Sequence, residues 1–389
     1  MKNNNCAYNM KILITGIHGF VGSNLVEALK KEHTIYGLDI INPSKEGVER
    51  TFSWEEIDEV LETFGTSEQA RAHGSGLMVH GSPLEVDAII HLAGKAHDTK
   101  NQSAAEVYFK VNTGLTQKIF DYFLAHEGIK KFVFFSTAKA AADKVEGVLT
   151  EDVVPSPVGP YGESKIAAEQ YILSQFKEFN VQEVQGQEFL RPAEQATKVE
   201  RENLRIDATS KNSKDSKPET WNLKPETPAK QVYIFRPCMI HGPGNKGNLN
   251  LLYNVVRKGI PWPLGAFENR RTFTSVENIC FAVNGVLTKD VPSGIYNMGD
   301  DEALSTNELI EEICKSLGKK AHIWKLPKGL MNGVAKVGGW LHLPLNPERL
   351  RKLTENYISS NEKIKKALGV EKMPVDARQG LQRTLESFR

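Results

Sequence analysis

MKILITGIHGFVGSNLVEALKKEHTIYGLDI, residues 10–40, contains four pieces in a fixed order. KILIT is an apolar, β-branched run that predicts a strand. Gly16, Gly19 and Gly22 follow at GxxGxxG spacing. SNLVEALKKE carries apolar residues at helical intervals, and TIYGLDI predicts a second strand with Asp39 at its end. Strand, glycine turn, helix and strand with a terminal acid make the first βαβ unit of a dinucleotide-binding sheet. Glycine suits the turn because positive φ and a backbone pressed against a pyrophosphate leave no space for a Cβ, and the helix N-terminus favours the anion. His18, Phe20 and Val21 complete this loop. Asp39 would accept hydrogen bonds from the adenine ribose hydroxyls and repel a 2′-phosphate, which favours NAD over NADP.

The same rhythm continues outward. VDAIIHLAG (86–94), KKFVFFSTA (130–138) and QVYIFRP (231–237) read as buried strands, with helices predicted over 111–125 and 161–176. This alternation predicts an α/β chain: a Rossmann-type doubly wound parallel sheet with a smaller C-terminal substrate-binding lobe. Residues 1–9 read as a flexible extension and 10–237 as the dinucleotide-binding domain. Residues 238–389 read as mainly substrate-binding, interleaved with the core. Helices are expected over 248–258, over 305–317 with a Ser305/Glu308 capping box, and over 329–343, packed on the cleft. Two segments break the pattern. Residues 52–81 suggest a helix and then a polar loop. Residues 180–230 are rich in Lys, Glu, Gln, Asn, Ser and Pro and hold too little apolar surface to offset their ordering entropy, so a mobile surface insertion is expected there.

Composition narrows the partners. Of 389 residues, 49 are Lys or Arg and 48 are Asp or Glu, so no global field attracts nucleic acid or a membrane. Cys6, Cys238, Cys280 and Cys314 show no metal-site spacing and read as reduced thiols, with no metal centre expected. No apolar run reaches the roughly 18 residues of a spanning helix. A soluble, cytoplasmic protein is the expectation.

The chemistry is read from Tyr161-Gly-Glu-Ser-Lys165 at a helix start. A spacing of four stacks both side chains on one face. A phenol with a free pKa of about 10 is a poor base at neutral pH, but a neighbouring ammonium and a positive nicotinamide ring favour its ionised form. Ser136 and Thr137 end the KKFVFF strand, at the sheet edge where ligands bind, so a hydroxyl there could hold a sugar oxygen. Alone, YxxxK is a common surface pattern.

Taken together, TGIHGFVG (15–22), HLAG (91–94), Asn112, FFST (134–137), YGESK (161–165) and RPCMIHGPG (236–244) resemble the extended short-chain dehydrogenase/reductase family, in its nucleotide-sugar epimerase and dehydratase branch. The resemblance spans Met10 to about Gly369, apart from 180–230. It implies that Leu92, Ala93, Gly94 and Lys95 line the cofactor, that Asn112 braces the site's backbone, and that Pro237 and Met239 border the nicotinamide. It implies Thr137, Tyr161 and Lys165 as the catalytic set. On the substrate side it implies that Asn248, Leu249 and Arg271 hold a nucleotide diphosphate. A second phosphate arginine falls at Arg349 or Arg351, with Arg349 preferred. His91 is read as a packed strand-end residue rather than a ligand. A homodimer built on helices around Val111 and Tyr161 is implied as well.

One departure separates the branches. In dehydratases the position after the threonine is acidic and protonates the departing hydroxyl. Here it is Ala138, followed by Lys139, so dehydration is disfavoured unless Lys139 or Glu163 substitutes. The remaining readings are an NAD-dependent 4-epimerase of a UDP-hexose or UDP-N-acetylhexosamine, which is preferred, and an NAD(P)H-dependent 4-keto-6-deoxy-sugar reductase. A non-catalytic dinucleotide sensor is disfavoured because Tyr161 and Lys165 are both retained.

Overall fold

The computed structural model describes residues 9–58, 77–79, 82–96, 104–190, 230–245, 247–340 and 346–389, with the backbone alone given for 182–190. Two compact units are distinguished: residues 1–171 with 230–389, and residues 172–229. In the second unit the described residues belong to one helix, and the rest of the polar insertion lies outside the described residues.

The first unit is built on seven strands. These are β1 (Lys11–Thr15), β2 (Thr34–Leu38), β3 (Arg50–Phe52), β4 (Ala88–His91), β5 (Lys131–Phe135), β6 (Gln231–Pro237) and β7 (Gly294–Met298). They lie side by side in the order β7-β6-β5-β4-β1-β2-β3, and every pair is parallel. The chain runs outward from β1 in both directions, the doubly wound arrangement predicted from residues 10–40.

Alternation along each strand divides the core. Ile12, Ile14, Ile90, Val133, Phe135 and Phe235 face helix α1 (Phe20–Leu29) and the helix Val276–Thr288, and pack with Leu25, Val26, Ile279, Val283 and Val286. Residues one step out of phase face the opposite side, where Phe132 meets Phe120 and Phe123 with ring centroids 5.0 and 5.2 Å apart. Those two phenylalanines belong to α2 (Leu115–Ala125). A sheet buried on both faces explains why its strands read as near-continuous apolar runs.

The ends of the predicted helices moved in two places. The helix expected over 111–125 begins at Ala105 and passes through a π-helical turn, Phe109–Gly114, that holds Asn112. The helix carrying Tyr161 (Pro160–Leu190, with the short Ala138–Ala141 before it) runs well beyond residue 176. Of the helix expected over 329–343, the described part, Lys328–Trp340, is helical, and 341–343 lie outside the described residues. Two strands of this sheet were not foreseen: β3, only three residues long, and β7, whose GIYNM carries a glycine and an asparagine inside the strand. Since β7 lies beyond residue 237, the C-terminal third supplies part of the central sheet. Thr306–Ser316 does carry the Ser305/Glu308 capping box. Of the helix and polar loop read into 52–81, residues 54–58 are helical and most of the remainder lies outside the described residues.

Candidate active site

The glycine loop is held by backbone contact. Gly16 has φ +68°, and a Cβ on it would sit 2.9 Å from the backbone N of Ala93. A Cβ on Gly22 would lie 2.5 Å from Gly16 O and 2.8 Å from Ile17 Cα. Neither neighbour is a flexible side-chain end that could swing away. Gly19 caps α1 without a side-chain acceptor, and the first turn of α1 carries no acid, so its leading amides keep their affinity for an anion. Asp39 stands across the loop: its Oδ2 accepts from His18 N at 3.0 Å and its Oδ1 from Ile40 N at 2.8 Å. These residues fit a dinucleotide pyrophosphate at the turn and a ribose at Asp39. Gly22→Ala is accordingly expected to lose dinucleotide affinity by tenfold or more and to lower the melting temperature, because the methyl can be accommodated only by moving the turn. Titration of NAD by tryptophan fluorescence, with a thermal melt, checks both.

Behind the loop runs a buried chain of hydrogen bonds. Thr116 Oγ donates to Asn112 O at 2.6 Å, so it accepts from His91 Nε2 at 2.9 Å. His91 Nδ1 then accepts from Thr15 Oγ at 2.7 Å, and Thr15 Oγ in turn accepts from Ala93 N at 3.0 Å. Burial and the nearby Lys165 push the His91 pKa well below the usual imidazole value, so the ring is a neutral connector. His91 is fully buried, in accord with its reading as a packed strand-end residue. Asn112 works from the π-helical turn: its Oδ1 accepts from Lys95 N at 2.7 Å, and its Nδ2 donates to Lys95 O at 3.2 Å and to Ser164 Oγ at 3.0 Å. It thereby ties the segment after β4, Leu92 to Lys95, to the helix of Tyr161.

The Thr137 hydroxyl neighbours the Tyr161 phenol and favours its ionised form. Thr137 Oγ accepts from Lys139 N at 3.3 Å. Lys165, one turn on, is buried and donates to Phe135 O at 2.8 Å. Its amine lies 3.1 Å from where a Cβ on Gly94 would be, and Asn112 Oδ1 lies 2.9 Å from the same point. Gly94, Asn112 and Lys165 therefore meet at the carboxyl end of β4 and β5, and a side chain at 94 would push the amine away. Burial raises the Tyr161 pKa and the Thr137 hydroxyl opposes it. Burial pushes Lys165 down to about 8, with Glu169 acting in the other direction. The protein alone thus keeps the phenol protonated, and the ionised form requires a further positive charge in the cleft.

The depressed lysine has a consequence for stability. Its folded pKa of about 8 lies below the unfolded value of 10.5, so folding is penalised wherever the unfolded lysine is charged and the folded one resists charging. The penalty is complete below pH 8 and fades between pH 8 and 10.5. Lys165→Met is expected to stabilise the cofactor-free chain at pH 7 by about 1–3 kcal/mol, with the gain shrinking through that window. Urea melts across pH test this, and a gain independent of pH would contradict it.

Sequence reading did not single out several neighbours. Ser136, expected to face the sugar, instead donates to Glu169, a residue one turn beyond Lys165. Glu169 also accepts from Arg236 of β6, through Nε at 3.0 and 3.1 Å and through Nη2, and the pair is 1–2 % exposed. The burial of this ion pair claims the serine hydroxyl, leaving Thr137 as the strand-end hydroxyl at the phenol. Tyr108 stacks edge-on against Tyr161 at 6.4 Å and carries Lys95 Nζ over its own ring at 5.5 Å. The available signal was helical spacing: Tyr108 precedes Asn112 by four, and Glu169 follows Lys165 by four.

The acid substitutes considered for dehydration are engaged. Lys139 Nζ donates to Asp143 O at 2.7 Å and to its Oδ1 at 3.1 Å. Asp143 is held below the usual carboxylate range by Lys139 and Arg351 against its burial, so it remains ionised. Glu163 accepts from Gly159 N at 3.1 Å, at the start of its helix.

The remaining candidates lie further along the chain. Pro237 closes β6 and Met239 is half-exposed beyond it. Asn248 opens the helix Asn248–Arg257 on its exposed side, whereas the Leu249 side chain is buried with Tyr253, Phe273 and Leu309, which leaves only its backbone for a ligand. Arg271 is half-buried and donates from Nη1 to Lys352 O at 2.5 Å. Arg349 is exposed on the helix Pro347–Thr354, and Arg351 pairs with Asp143 and Glu355 at 3.5 and 3.1 Å. Cys238 and Cys280 are free thiols whose pKa burial pushes up to about 12.

Residues 12–186 match the model of the NAD dependent epimerase/dehydratase family. Over that stretch the chain is similar to this family. A UDP-glucose 4-epimerase of Vibrio cholerae is 26% identical over 330 residues, covering 81% of this chain and 78% of its own. An N-acetyl-α-D-glucosaminyl-diphospho-ditrans,octacis-undecaprenol 4-epimerase of Escherichia coli O157:H7 is 24% identical, covering 97% of this chain and 95% of its own. Among solved structures, a UDP-glucuronic acid 4-epimerase of Bacillus cereus in complex with NAD superposes with a TM-score of 0.60 at 19% identity, covering 97% of this chain and 98% of that one. The matched stretch includes the glycine loop, Asp39, Thr137, Tyr161 and Lys165. Among the described residues, no helix is long and apolar enough to cross a membrane.

Proposed function

We propose that the chain is a 4-epimerase of nucleotide-linked hexoses, with a UDP-hexose or UDP-N-acetylhexosamine as substrate. The observation that carries this reading is Tyr161 and the buried Lys165 amine one turn apart on a single helix, beside the Thr137 hydroxyl at the end of β5. When bound, the dinucleotide supplies hydride acceptance and return at C4. The protein supplies the proton movement. Tyr161 takes the proton from the C4 hydroxyl and later gives one back to the C4 oxygen. Thr137 holds that oxygen, and Lys165 stabilises the phenolate and positions the cofactor's ribose. Gly16, His18, Gly19, Phe20, Val21, Gly22, Asp39, Leu92, Ala93, Gly94, Lys95, Asn112, Pro237 and Met239 form the cofactor side. Asn248, the backbone of Leu249, Arg271 and Arg349 form the nucleotide side, where guanidinium forks suit phosphate oxygens.

Two features support inversion over dehydration. Ala138 offers no proton, and the nearest alternatives, Lys139, Asp143 and Glu163, are committed to other partners. The names of the relatives support a 4-epimerase over a reductase. The test is the nucleotide released on denaturing the purified protein. About one equivalent of tightly held NAD+ supports epimerisation, because the cofactor is restored within each turnover. A cofactor-free protein that consumes added NADH with a 4-keto sugar nucleotide overturns it in favour of a reductase.

A further inference from the structure

The helix α3 (Lys328–Trp340) carries apolar residues on two sides. Met331, Ala335 and Gly338 are buried, and Met331 and Ala335 pack with Leu264 and Leu350. On a second stripe, Leu330 is 55% exposed, Val334 47%, Val337 54% and Trp340 80%. Residues 330, 334 and 337 repeat at i, i+4 and i+7, so this is a continuous face rather than scattered surface residues. Lys328, Asn332 and Lys336, also exposed and spaced by four, form a polar stripe beside it.

The charge of the surrounding sequence is one-sided. From Ile313 to Pro347 there are six lysines (Lys315, Lys319, Lys320, Lys325, Lys328 and Lys336) and no Asp or Glu. The near balance of the whole chain, +1 at pH 7, conceals this local excess. The helix has 13 residues, about 20 Å at the usual rise, too short to span a bilayer. An exposed apolar stripe, a terminal tryptophan and the exposed Lys328 and Lys336 on the same helix are instead the chemistry of a helix lying in the interface of an anionic lipid surface. The ring sits at headgroup level there, and the lysine stems extend towards phosphate.

We propose that α3 is a peripheral docking surface for an anionic bilayer, which would hold this enzyme at the membrane while its sheet and active site remain in water. The lysines provide long-range attraction that salt screens, and the apolar stripe provides insertion that salt spares.

The experiment is co-sedimentation of the full chain with vesicles of phosphatidylcholine alone or mixed equally with phosphatidylglycerol. The proposal expects binding to the mixed vesicles at low salt, at least about tenfold weaker on phosphatidylcholine alone. Val334→Asp with Trp340→Ala should reduce binding at least about tenfold, and Lys328→Glu with Lys336→Glu should remove its salt dependence. Thermal melts and retained NAD report that the variants fold. Because NAD retention is read separately, failure of the epimerase reading leaves this outcome intact, and the reverse also holds. Equal binding by all variants, or no binding to anionic vesicles, overturns the proposal. So does a vesicle-free dimer that Val334→Asp converts to monomer, since the stripe would then be a contact between copies.

Discussion

Tyr161→Phe is expected to lose about a thousandfold or more in turnover, roughly 4 kcal/mol of transition-state stabilisation, while retaining its nucleotide and its melting temperature. The phenol stands beside Thr137 at the mouth of the sheet, and burial holds its pKa above the usual phenol value. Phenylalanine keeps the ring that packs edge-on against Tyr108. The loss should therefore fall on kcat far more than on binding, and steady-state kinetics beside a count of retained NAD separates the two. A variant with near-normal turnover would show that a different group moves the proton.

Glu169→Ala is the second large effect expected, this time on folding. The carboxylate is the partner of the buried Arg236 guanidinium and of Ser136 Oγ, and Arg236 Nη1 has no hydrogen-bond partner among the described residues. Removing one member of a buried ion pair leaves the other charged and unsolvated, which costs about 3–5 kcal/mol. In a chain of this size that lowers the melting temperature by roughly 4–6 °C. Replacing both partners, Glu169→Leu with Arg236→Met, should recover much of the loss, because no unpaired charge is then left inside. A thermal melt of the single and double variants decides it. Equal destabilisation of both would mean that packing, rather than the stranded charge, sets the cost.

Much of this architecture could be read along the chain because local pattern and global fold agree there. Residues 10–40 hold strand, turn, helix and acid in sequence, and the demand on Gly22 comes from Gly16 and Ile17 in the same loop, whereas Gly16 is also crowded by Ala93 at the end of β4. Tyr161 and Lys165 are four apart on one helix, so their proximity needs no long-range information. The strand β7 was missed because its position in the sheet depends on pairing with β6, some sixty residues earlier, and GIYNM alone carries a weak strand signal. Ser136 was assigned to the sugar because a strand-end hydroxyl is visible in sequence, whereas the Glu169–Arg236 pair that claims it joins a helix to a strand 67 residues away. The π-helical turn at Asn112 was hidden for a related reason: an extra residue in a helical turn leaves the apolar periodicity of its flanks nearly unchanged.

The account's central claim is that a sugar C4 centre is inverted through oxidation and hydride return at Tyr161. Its most direct test is to incubate the protein with UDP-glucose and UDP-N-acetylglucosamine in deuterium oxide and follow the sugars by proton NMR. The account predicts a C4 epimer of at least one of them with its C4 hydrogen retained as protium. A C4 epimer carrying deuterium, or no inversion of either sugar by protein that holds NAD, would contradict it.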